Sequence, residues 1–188
     1  MKKFIILSFI IIIAILLVVA IVWSTTTGRS LDECFFGTCC GILYLTGKYL
    51  GFTYKEICVI ANIYLEAGFC LLSALWVTWT AIKGFIQRKT FGSGIIMVTG
   101  IVYGLAYVVG FLWLCQHYAM PMNDAFDLCY HELIQLAKDY HTTYNNVNYA
   151  IFILLFLVII IGNTLLVKLL DGIFVHKRKM HILYNSDN

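Results

Sequence analysis

Four apolar stretches, at about residues 4–23, 57–82, 93–115 and 147–170, constrain this chain more than any other feature. Each is long enough to cross a hydrocarbon core of about 30 Å, which takes about 20 helical residues. Backbone polar groups in lipid must be satisfied within the segment, so the stretches read as helices. With 61% hydrophobic and 12% charged residues, the segments between them are too short and too aromatic to form a separate soluble domain. The expected fold is all-α: a single membrane domain, 1–188, built as a four-transmembrane-helix bundle. Loops at about 24–56 and 116–146 fall on one side, with a loop at about 83–92 and a tail at about 171–188 on the other.

Charge orients that bundle. Lys2, Lys3, Lys83, Arg88, Lys89, Lys168, Lys177, Arg178 and Lys179 are nine of the thirteen Lys and Arg residues, and all share one side if the stretches alternate. Only Arg29, Lys48, Lys55 and Lys138 fall on the other. The positive-inside rule then puts both termini in the cytoplasm. Trp23, Trp113 and Tyr149 lie at the expected outer interface, and Trp76 and Trp79 near the inner one. Lys2 and Lys3 followed by an apolar run also suit a signal peptide, with Val18-Val19-Ala20 as a cleavage site. The run continues to Trp23, past the usual h-region, and favours an uncleaved anchor. Its Ile-rich composition suggests a bacterial cytoplasmic (inner) membrane.

Within the first outer loop, Phe35 to Leu50 is apolar but broken by Gly37, Gly41 and Gly47, so it reads as an interfacial or re-entrant helix that Gly51 stops. Thr53-Tyr54-Lys55-Glu56 has the form of a capping box that opens the second span. Those residues resemble the helix start of helix-turn-helix DNA readers, yet the helix that follows has no basic face to meet phosphate, which excludes nucleic acid as a partner. In the second outer loop, Asp124 to Tyr140 reads as an amphipathic helix capped by Asp124. Its stripe is Phe126, Cys129, Tyr130, Leu133, Ala137 and Tyr140. Gly100 and Gly104 in the third span form a small-residue face for close helix packing. No internal repeat of the transporter kind is evident, because the first and third spans differ in glycine content and only the second carries an acid.

Three groups of residues could carry chemistry. Glu66 lies within the second span with Asn62 one turn earlier and Ser73 two turns later, a candidate substrate or ion site; alternatively it locks helices through Asn163, Thr99 or Tyr103. Cys34, Cys39, Cys40 and Cys129 fall in the outer loops and are candidates for disulfides in three possible pairings. A four-span plan with outer cysteines is similar to the membrane thiol oxidases that pass electrons to quinone. That resemblance is of topology alone, since the Cys-x-x-Cys working pair is absent here. Asp124, Asp127 and His131 could share one helical face, but they also make its solvent side, and no metal or other cofactor is called for. Hydrolase elbows and phosphate loops are absent, and the basic tail at Val175 to His181 is explained by anionic lipid. The reading ranked first is a non-enzymatic membrane protein acting through protein contacts, with lipid and a protein partner or a second copy as its surroundings. A small transporter or channel subunit using Glu66 ranks second, and a thiol-disulfide oxidoreductase third.

Overall fold

A computed structural model describes the backbone of residues 2–186 and the side chains of residues 14–31 and 33–174. It is all-helical: α1 (Lys2–Thr27), α2 (Leu31–Leu50), α3 (Tyr54–Cys58), α4 (Glu66–Arg88), α5 (Phe91–His117), α6 (Met122–Asp139), α7 (Tyr144–Asn148) and α8 (Phe156–Ser186). Two π-helical segments, Val59–Leu65 and Tyr149–Leu155, join α3 to α4 and α7 to α8 without a break. Three of the resulting helices, Tyr54–Arg88, Phe91–His117 and Tyr144–Phe174, are long and apolar enough to cross a membrane, and Ala14–Thr27 is a shorter apolar helix. The helix expected to end near residue 170 continues through Ser186, since neither a proline nor a left-handed residue interrupts it.

Local chemistry sets the helix boundaries. Gly51 takes the left-handed conformation (φ 80°) that a side chain would oppose, and the Phe52 amide donates back to the Gly47 carbonyl at 2.8 Å, closing α2. Thr53 then accepts from the Glu56 amide while the Glu56 carboxylate accepts from the Thr53 amide at 2.7 Å, the anticipated capping box. Thr143 caps α7 by accepting from the Asn146 amide, without the reciprocal half of the box. His141, ahead of it, is also left-handed (φ 51°), and the Thr142 amide donates to the Ala137 carbonyl at 2.9 Å. Asp124 does not cap α6: the helix begins at Met122 after Pro121, whose fixed φ suits a helix start, and Asp124 sits in the first turn.

The chain forms two compact units, and it passes between them within the first π segment, between α5 and α6 at Met120 and Pro121, and at the start of the second π segment. One comprises residues up to Ile60 with Pro121–Tyr149. Here α1 packs on α2, where the Trp23 ring lies so close over Gly37 that an added Cβ would sit 2.9 Å from it. α2 packs on α3 and α6 on α7, and the pairs also cross: α3 meets α6 and α2 meets α7. Rings mediate the crossings. Phe36 meets Tyr144 edge to face at 6.0 Å, and Tyr54 meets Phe126 at 6.1 Å. Lys55 bridges Asp127 at 2.6 Å, with both side chains about half exposed.

The other unit comprises Ala61–Met120 and the chain from Ala150 onward, in which α4 packs on both α5 and α8. Gly100 and Gly104 are buried against Ala81 and Thr78 of α4, and the Thr78 hydroxyl donates to the Gly100 carbonyl at 2.8 Å. Missing side chains on α5 allow that approach. On the α8 side, Val77, Ala81, Val167, Leu170 and Phe174 form one buried cluster. The Phe174 ring fills the space where a side chain on Gly84 would stand. Arg88 closes this end by donating to the Ile173 carbonyl at 2.9 Å with its guanidinium 4.9 Å from the Phe174 ring.

Candidate functional site

Polar side chains inside an apolar helix group are costly unless bonded, so the polar groups of the second unit locate its candidate site. α4 places Glu66, Cys70 and Ser73 at i, i+4 and i+7, along one face. Ser73 donates to the Cys70 carbonyl at 2.7 Å and accepts from the Asn163 amide of α8 at 2.7 Å. The other end of the Asn163 side chain accepts from the Tyr103 hydroxyl of α5, which lies 3.3 Å from the Tyr107 hydroxyl. Asn163 is 4% exposed, so this one amide joins all three helices of the unit from its interior.

Glu66 does not take part in that junction. The anticipated lock through Asn163 or Tyr103 is made without it: those two residues bond each other and Ser73. Among the described residues the Glu66 carboxylate has no hydrogen bond or ion pair, and its electrostatic neighbour is the Cys70 thiol, which also lies within reach of Tyr107. Glu66 is half-buried and is the first residue after a π segment; Asn62 lies within that segment, about one turn earlier. Breaks in α-helical bonding of this type are rare and concentrate at functional positions. A shallow groove of about 540 Å³ beside Phe85, Lys89, Phe91 and Gly94 lies near the opposite end of α4, away from the carboxylate.

All seven cysteines of the chain are in the thiol form, and the disulfide sought among Cys34, Cys39, Cys40 and Cys129 is not formed in this structure. Cys34 is 1% exposed. Cys58, placed by sequence at a span boundary, is the thiol that has both Cys40 and Cys129 as electrostatic neighbours. Burial, then the neighbouring Cys40, push the Cys39 thiol above its ordinary range, opposite to the activated thiol of a redox enzyme. Asp127 is engaged by Lys55, and no group of three His, Cys, Asp or Glu side chains able to hold a metal occurs among the described residues.

The class these features define is a helical protein with three helices long and apolar enough to span a membrane, as in an integral membrane protein. In comparisons with known proteins, no family model, no curated protein and no solved structure matches the chain.

Proposed function

We propose that the protein is a four-span integral membrane protein whose function is to bind, and pass on, a proton or a small cation or amine at Glu66. α1 would be the fourth span, and the excess of Lys and Arg at both ends and in the turn after α4 supports cytoplasmic termini. One observation carries the functional reading: Glu66 is an acid within a span, half-buried, that makes no hydrogen bond or ion pair among the described residues, while the interhelical polar junction is complete without it. A carboxylate retained at such a cost and giving nothing back to the fold is free to meet a ligand. The glycine face of Gly100 and Gly104, which could otherwise receive a partner, is occupied by α4 of the same chain.

Infrared difference spectroscopy on the protein in lipid vesicles, with methylammonium or sodium added and removed, tests the proposal. A carboxyl band that shifts in the wild type and is missing from Glu66→Gln is the expected result. An unchanged spectrum across pH and both cations would sink it. One observation favours a second reading, a subunit acting through protein contacts: α2 exposes Tyr44, Leu45, Leu50 and Tyr49, the last at 90%. Native mass spectrometry that finds only monomer with bound lipid would remove that reading.

A further inference from the structure

Several features described above recur at one spacing. The left-handed residues Gly51 and His141, the caps Thr53 and Thr143, the starts of the π segments at Val59 and Tyr149, and the ends of α1 and α5 at Thr27 and His117 are each ninety positions apart. Aligned at that shift without a gap, residues 1–90 and 91–180 share eighteen identities. Ile, Val and Leu pairs are expected between any two membrane helices. Trp23 with Trp113, Phe36 with Phe126, Cys39 with Cys129, Lys48 with Lys138, Thr53-Tyr54 with Thr143-Tyr144 and Arg88-Lys89 with Arg178-Lys179 are not.

Several contacts within the units obey the same shift. A two-fold arrangement requires that a contact between residue i of one copy and residue j of the other be repeated with the roles exchanged, and that residues on the axis touch their own counterparts. Phe36 on Tyr144 and Phe126 on Tyr54 are such an exchanged pair. In the other unit, Ser73 bonds Asn163, Val77 and Val167 share one buried cluster, and Gly84 receives Phe174; each pair is ninety apart. These three contacts recur along the crossing of α4 and α8, which is therefore a two-fold seam.

We infer that the chain is two copies of one ninety-residue module joined head to tail, that the α4–α8 seam is the surface by which a module receives a second copy of itself, and that Glu66 occupies one of two equivalent positions, the other being Phe156. Two spans per module make the copies parallel. The placement of the acid rests on the reading of Glu66 given above; the duplication does not. Around the acid the copies have diverged: Phe156 and Ile160 replace Glu66 and Cys70 in the second copy, and Ile13 and Leu17 stand in the first where the second has Tyr103 and Tyr107.

The experiment uses the full-length protein in lipid nanodiscs. In a background with the native cysteines replaced, Ser73→Cys with Asn163→Cys and Val77→Cys with Val167→Cys should cross-link at least tenfold faster than the register-shifted pairs Ser73→Cys with Val167→Cys and Val77→Cys with Asn163→Cys. The exchanged pairs Phe36→Cys with Tyr144→Cys and Tyr54→Cys with Phe126→Cys should cross-link within about twofold of each other. Shifted pairs reacting as fast as the ninety-spaced ones overturn the duplication, and the two seam pairs give separate readings should one variant fail to fold. A hydrophobic carbodiimide, which adds to a protonated carboxyl, then reads the acid by mass spectrometry without any added cation. It should label Glu66 in the wild type, lose that label in Glu66→Phe, and label position 156 to within twofold of the wild-type extent in Glu66→Phe with Phe156→Glu. A folded double variant unlabelled at position 156 overturns the equivalence of the two sites. Failure of the cation response with these results intact would reject the proposed function alone.

Discussion

The two compact units are held together by different chemistry. The unit of α4, α5 and α8 relies on missing side chains and hydrogen bonds: Gly84 under Phe174, Gly100 and Gly104 against α4, and Asn163 bonded to Ser73 and Tyr103. The unit of α1, α2, α3, α6 and α7 has one such contact, Trp23 over Gly37, and otherwise relies on rings set edge to face, two capped turns and a half-exposed ion pair. On the proposed topology, the contrast follows from the solvent each kind of contact needs. Hydrocarbon gives apolar side chains no reason to leave it, so helices that pack within it need close fit and bonded polar groups, whereas rings and ion pairs serve where water competes. One chain thus carries both vocabularies, and each can be broken separately.

Gly84→Leu should break the seam unit most severely. Phe174 leaves no volume for the new side chain, and such overpacking costs about 3 kcal/mol. Thermal unfolding in detergent should show it, and adding Phe174→Ala should recover most of the loss. Asn163→Ala comes next at about 1–2 kcal/mol, because it removes the two bonds that join α8 to Ser73 and Tyr103. An Asn163→Ala variant as stable as the wild type would mean the polar junction does not hold this unit.

Smaller effects belong to the ring-built unit. Thr53→Ala and Thr143→Ala each remove a helix cap and should cost about 1 kcal/mol, by nearly equal amounts, in the same unfolding measurement. Lys55→Met should cost less than about 1 kcal/mol, and the difference from wild type should fade in high salt, as expected for a pair this exposed. The last test is chemical. Thiolate is the reactive form, and burial raises the Cys39 thiol above its ordinary range, so Cys39 should alkylate more slowly than an unhindered small thiol at neutral pH. Its rate should still be climbing above the pH at which that thiol levels off. A rate already level at neutral pH would reverse the assignment and revive a redox role.

Much of the helical order could be read from residue types, because its causes are local. Gly51 before a Thr-x-x-Glu motif announces a stop and a start, Gly100 and Gly104 announce a close neighbour, and apolar length announces the long helices. The π segments could not be read this way, since Val59–Leu65 and Tyr149–Leu155 have the composition of ordinary membrane helix and differ only in which carbonyl each amide reaches. Asp124 misled because Pro121 begins the helix earlier. At the candidate site the polar residues were visible but their pairing was not. Asn163, Tyr103 and Ser73 were all identifiable, and only the three-helix geometry shows that they satisfy one another and leave Glu66 aside. The ninety-residue repeat escaped for a related reason: a comparison of glycine content looks at the positions where the copies differ, whereas the turns, caps and seam contacts preserve what they share.

Phe174 over Gly84 also determines which movements the seam allows. A ring seated in the gap that Gly84 leaves on α4 acts as a depth stop, because a slide by a single residue would drive it onto a neighbour that has a side chain. Translation of α8 along α4 is therefore blocked. Tilting remains, since a ring can turn in its seat while the helices rock about it, so any opening at the Glu66 end has its fulcrum at Gly84.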